Sequence, residues 1–151
     1  MARKQVADGL VLGLYSNDRL VRQQVRLALG EQLPGLAERV RIEEFATAPA
    51  LMTAVGKQRF DCVILDAETV PLGGMGLGYQ IKDEIKSAPP VVLLVARQQD
   101  AWLATWSRAD AVAPLPVDPL TLPDAVAGVI QQSQAGMLDD TAIVPGGASR
   151  H

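Results

Sequence analysis

Two short runs of this chain, Cys62-Val63-Ile64-Leu65 and Val91-Val92-Leu93-Leu94-Val95, are apolar at every position. A strand with one wet face alternates, and a surface helix shows polar residues each turn. A short run with neither pattern, bounded by turn residues, reads as a strand covered on both faces. Such strands occur in parallel sheets flanked by helices, and the remaining sequence supplies both components. Leu10 to Tyr15 is a third apolar run, Val40 to Glu43 alternates as an edge strand would, and Ala111 to Ala113 is a short fifth. Between them lie helical segments. The first follows Ser16-Asn17-Asp18, all good N-cap residues, with Leu20/Val21, Val25 and Ala28/Leu29 on one face and Leu33-Pro34-Gly35 as its stop. The second opens at Thr47 and Pro49. Others are predicted around Leu77 to Lys86, Asp100 to Ser107 and Leu120 to Gln134. Alternating strands and helices imply an α/β fold with helices on both faces of a parallel sheet.

The 151 residues fit one domain, with a short extension over residues 1–9, a folded domain over 10–134 and a polar tail over 135–151. That tail has apolar islands at Met137-Leu138 and Ala142-Ile143-Val144. It is expected either to stay disordered or to order on a partner, where Ile143 and Val144 would add a strand or fill a pocket. A net charge of −3 and the lack of a Lys/Arg cluster argue against nucleic acid. The single cysteine, Cys62, excludes an intrachain disulfide and suits a reducing compartment. No apolar stretch approaches the ~18 residues a membrane span needs. Together these predict a cytoplasmic protein without direct membrane insertion, free to dock on the cytoplasmic side of a membrane complex. The only histidine is His151, so no Ser-His-Asp, Cys-His or zinc cluster can be assembled. No enzyme activity is expected.

Asp66 closes one of the two apolar runs, placing a carboxylate at the C-terminal tip of a buried strand, where open α/β sheets bind ligands. It admits two readings: a reactive acid, or a strand-end carboxylate that caps a helix or orders the following loop. Asn17 and Asp18 likewise admit metal binding or helix capping. The glycines of Gly73-Gly74-Met75-Gly76-Leu77-Gly78 invite a phosphate-loop reading and hence a nucleotide-binding module. They follow the third strand rather than the first and lack a Lys-Ser/Thr, so a flexible loop is expected instead. Trp102 and Trp106, four apart, share a helix face and would serve either core packing or a partner interface.

The pattern resembles the receiver domain of bacterial two-component response regulators over Leu10 to Gln134. The resemblance rests on the five strand–helix units, Asp66 closing the third strand, a loop containing Pro71, Gly73 and Gly74, and the segment Ala109-Asp110-Ala111-Val112-Ala113-Pro114-Leu115-Pro116-Val117-Asp118-Pro119-Leu120. It implies a flavodoxin-like, doubly wound five-stranded parallel sheet of order 2-1-3-4-5, with Asp66 as the phosphoacceptor. It also implies a cis bond before Pro116. Receiver chemistry further requires an acid pair holding Mg²⁺ after the first strand, a Ser or Thr after the fourth, a Lys before the proline and an aromatic switch on the fifth strand.

Those positions fall on Ser16 and Asn17, Ala96, Leu115 and Val112, so all four elements are replaced. Asp18 and Glu68 are the acids left nearby. Each missing charge or donor removes contacts worth about 1.5–3 kcal/mol. The expectation is therefore an orphan, degenerate receiver, a pseudo-receiver acting by protein–protein binding through Trp102, Trp106, Leu115, Ile143 and Val144. In receivers the face built by the last two helices and the fifth strand is the usual partner surface. Usage rich in Ala, Arg and Gly resembles actinobacterial orphan receivers associated with respiratory NADH dehydrogenase (complex I), whose subunits are the implied partners. The alternative is a single-domain phosphorelay component, phosphorylated on Asp66 by a histidine kinase, with Mg²⁺ held by Asp18 and Glu68. Only that alternative calls for a cofactor.

Overall fold

A computed structural model describes residues 9–69, 74–96 and 108–142. Five strands, β1 (Gly9–Tyr15), β2 (Arg39–Phe45), β3 (Cys62–Asp66), β4 (Val91–Val95) and β5 (Ala111–Pro114), form one sheet in the order β2-β1-β3-β4-β5. Every pairing is parallel, with Leu14 beside Ile64, Ile64 beside Val92 and Leu93 beside Val112. The architecture and strand order match the expectation from sequence. Four helices are described: α1 (Arg19–Leu29), α2 (Ala48–Lys57), α3 (Gly74–Glu84) and α4 (Thr121–Ala142). The helix predicted near Asp100 to Ser107 lies outside the described residues, and so do Trp102, Trp106, Ile143 and Val144.

The period of two in β3 divides the core. Cys62 and Ile64 join the layer under α1 and α4, with Val25, Leu29, Leu122, Val126 and Ile130. Val63 and Leu65 join the opposite layer with Leu51, Val55, Leu77 and Ile81 from α2 and α3. All five residues of β3 and all five of β4 are buried. Fully burying each aliphatic side chain contributes about 1.5–3 kcal/mol, so these two strands anchor the sheet. Gly13 in β1 is held by close packing: a Cβ there would meet Val63 Cγ1 at 3.0 Å and Phe60 Cε1 at 3.4 Å.

Several local expectations are corrected. Leu20, expected on the buried face of the first helix, is 64% exposed, because the α1 face that packs is set by Val25 and Leu29. That helix stops at Gly30, whose φ of 61° suits glycine, rather than at Leu33-Pro34-Gly35. The glycines from Gly74 to Gly78 form the first turns of α3 and not a loop. Fully buried Leu77 and Ile81, four residues apart, dock that helix and override its poor glycine propensity. The last helix continues eight residues past Gln134, to Ala142.

Candidate functional site at the C-terminal edge of the sheet

Parallel strands bring their C-terminal ends to one edge, and β1 and β3, neighbours in the sheet, set Ser16 beside Asp66. Both side chains are buried, at 0% and 2% exposure. The Ser16 hydroxyl donates to Asp66 Oδ2 at 2.7 Å, and the Glu68 backbone N–H donates to Oδ1 at 2.8 Å. The second contact is the i to i+2 pattern by which an aspartate shapes a turn, and Thr69 N donates to Asp66 O at 3.2 Å within that turn. Asp66 therefore orders the loop that follows it. Its negative charge adds to burial, the larger cause, in pushing the Tyr15 phenol above its ordinary pKa.

The surrounding groups are engaged in the same way. Ser16 Oγ also accepts from Asp18 N at 3.0 Å, while Asp18 Oδ1 caps α1 by accepting from Leu20 N at 2.9 Å. The Asn17 N–H donates to Thr69 Oγ1 at 3.3 Å. Glu68 Oε2 accepts from Ala96 N at 3.3 Å, strapping the β3 loop to the end of β4. Two contributors were not singled out in the sequence. Thr69 is buried, and Arg22 donates from Nη1 to Ser16 O at 2.7 Å while pairing with Glu44 at 3.1 Å. A Ser/Thr three residues after a turn aspartate was the available signal for Thr69; Arg22 had none, since its partners lie on other elements.

The remaining receiver-like positions lie on β4 and β5. Leu115 follows β5, donates its N–H to Val95 O at 2.9 Å, and packs half-buried against the α1/α4 core layer. The Leu115-Pro116 bond is cis, as the resemblance implied. Val112 is half-buried against the opposite layer. Among the described residues no cationic side chain bonds to Asp66. Among the described residues no three carboxylate, histidine or cysteine side chains come together as a metal would need. A magnesium site asks for several oxygen ligands around one point. Here the Asp18 carboxylate accepts from Leu20 N at the α1 N-terminus and that of Glu68 accepts from Ala96 N.

No family model matches the chain. It is 41% identical over 119 residues to an uncharacterized response regulatory protein of Mycobacterium tuberculosis, seen in two strains, a match covering 78% of this chain and 89% of the relative. Among solved structures it superposes on the beryllofluoride-activated receiver domain of DrrB (TM-score 0.66, 18% identity, 82% of this chain and 98% of the other). A two-component response regulator from Clostridium difficile gives 0.67 at 16% identity over 82% and 98% of the two chains. A CheY-like receiver domain protein from Methanospirillum hungatei gives 0.67 at 15% over 85% and 98%. The structural matches carry the fold and the mycobacterial relative carries the kinship: the chain belongs to the response regulators and is a receiver domain of that family.

Proposed function

We propose that this receiver domain is a pseudo-receiver, acting as a protein-binding module rather than as a phosphorylation switch. The observation that carries this reading is the engagement of Asp66: Ser16 and the Glu68 N–H each hold one of its carboxylate oxygens. A phosphoacceptor needs one oxygen free for attack and cations nearby to neutralise the incoming group. Leu115 at the position where receivers carry lysine, and Ala96 where they carry a hydroxyl, withhold the corresponding donors. The Glu68–Ala96 strap further ties the β3 loop to the end of β4.

The partner we assign is the respiratory NADH dehydrogenase, with this chain as an accessory subunit docked on its cytoplasmic side. Support comes from the resemblance to actinobacterial orphan receivers and from the mycobacterial relative's kinship. Among the described residues no helix is long and apolar enough to cross a membrane, so attachment would run through protein contacts. Tagged chain recovered from gently solubilised native membranes should bring NADH dehydrogenase activity with it in stoichiometric amount. Variants Trp102→Ala/Trp106→Ala, or deletion of residues 143–151, should release it. Recovery of the chain without that activity overturns the assignment. Recovery of a histidine kinase, with label on Asp66, would favour the phosphorelay reading instead.

A further inference from the structure

Two surface features lie away from the Asp66 carboxylate. One is a groove of about 990 Å³ at the N-terminal edge of the sheet, with Lys57, Arg59 and Lys86 around a buried Phe60; nothing in the structure shows what covers it. The other is the outer face of α1 and α4, which carries its own complement.

The large apolar side chains exposed among the described residues are Leu20, Leu27, Leu120 and Tyr79. The Arg108 guanidinium covers Tyr79, 5.0 Å from the ring centroid. The three leucines, 64%, 76% and 77% exposed, all belong to the α1/α4 face. Leu20 and Leu27, seven apart, form one stripe about 10 Å long. The other flank of α1 is turned to β2, where Arg22 and Arg26 pair with Glu44, so the stripe points outward and toward α4. α4 runs alongside: a Cβ on Gly35, in the connection after α1, would lie 2.9 Å from Gln131 Nε2. Asp124 and Leu120, seven and eleven residues before Gln131, share that side of α4 by helical spacing. Gly128, half-buried, keeps the same surface low, since a Cβ there would meet nothing within 4 Å.

Most charges around this face are already used. Glu44 takes up Arg22 and Arg26, and Asp118 caps α4 by accepting from Leu120 N at 2.8 Å and Thr121 N at 3.1 Å. Two remain exposed and without a partner among the described residues: Arg19 beside Leu20, and Asp124 one turn after Leu120. They flank the leucines on opposite sides, a cation on the α1 side and an anion on the α4 side. Leucines gathered between free charges mark an association surface, where a single exposed leucine would not.

We propose that a second copy of this chain covers this face, with α1 of each copy lying on α4 of the other. A two-fold axis parallel to the helices produces that isologous contact. Both helices start at the C-terminal edge of the parallel sheet, so their heights correspond. Leu20 then meets the partner's Leu120, and Leu27, about 10 Å further along, meets the low surface at the partner's Gly128, about 12 Å beyond its Leu120. Arg19 faces the partner's Asp124. Pairing α1 on α1 is disfavoured, because that helix has three arginines and no acid. The contact does not draw on the engagement of Asp66 and stands or falls separately from the pseudo-receiver reading.

Sedimentation equilibrium of the full chain over a concentration series tests this. The expected result is a monomer–dimer equilibrium, abolished by Leu20→Glu with Leu27→Glu. Arg19→Glu alone should weaken it by about tenfold, as should Asp124→Arg alone, since each reversal sets like charges together at two contacts. A one-to-one mixture of those two single variants should restore association as a heterodimer, because every pair is then of opposite sign. Unchanged circular dichroism spectra and thermal melts show that the variants fold. A chain that stays monomeric at every concentration overturns the proposal, as does a dimer indifferent to the leucine changes or to both charge reversals.

Discussion

The acids around Asp66 at one edge of this sheet and the cations rimming the groove at the other are handled in opposite ways. At the C-terminal edge, where receivers work, every acid described near Asp66 has a partner on its own chain: Asp66 with Ser16 and Glu68, Asp18 with the start of α1, Glu68 with Ala96. At the N-terminal edge, Lys57, Arg59 and Lys86 rim a groove and have no partner among the described residues. Hydrogen bonds satisfied internally, in buried surroundings, rigidify and position. Exposed charges left over contribute little to folding and are available to another molecule. The difference directs attention from the family's usual site to the groove at the opposite edge.

The largest test of that contrast is Asp66→Ala. If Asp66 is a structural acceptor, the change strands the buried Ser16 hydroxyl and the Glu68 N–H and should cost about 2–3 kcal/mol in denaturant unfolding. A carboxylate crowded by other acids would behave oppositely, and its removal would raise stability. Next is Leu115→Lys, which sets an ammonium on a side chain half-buried against the core. A loss of about 1–2 kcal/mol is expected. A gain would mean that the edge still holds unneutralised negative charge seeking a cation.

Acid titration probes a support of the same edge. Glu44 is held below the usual carboxylate range, first by its hydrogen bond from Arg26, against some opposing burial, and then by Arg22, which also grips Ser16 O. A depressed folded pKa means that this stabilisation is present above the unfolded value. It is lost as pH falls from about 4.5 through the folded pKa. Wild type should therefore lose about 1 kcal/mol or less in that window relative to Glu44→Gln, followed by thermal melts. The smallest effect belongs to the other edge. Lys57→Glu with Lys86→Glu should change monomer stability by less than about 0.5 kcal/mol, because neither side chain has a partner among the described residues. A larger loss would show that the rim serves the fold.

The sequence exposed the sheet well, because Cys62 to Leu65 and Val91 to Val95 leave no second interpretation once both faces must be covered. Asp66 was located for the same reason. Its partners were harder: Ser16 lies fifty positions away, and only the parallel pairing of β1 with β3 brings the two together. Leu20 misled because an eleven-residue helix offers several overlapping apolar faces, and packing chose the one through Val25 and Leu29. The start of α3 among glycines was hidden because buried Leu77 and Ile81, not local propensity, hold that helix. The eight added residues of α4 contain no proline, and the single Gly136 is too weak a breaker to stop a helix already docked through Val126 and Ile130. The groove below β3 and β4 had no local signature, since its walls come from three separated segments.

The most direct measurement is an amide NMR titration of the chain with magnesium and beryllofluoride, following the backbone signals of Glu68 and Ala96. Both N–H groups already donate to carboxylates, Glu68 to Asp66 and Ala96 to Glu68, so the account predicts that neither signal moves. A saturable shift of both, abolished by Asp66→Asn, would show an acceptor still open to a phosphoryl group and would contradict it.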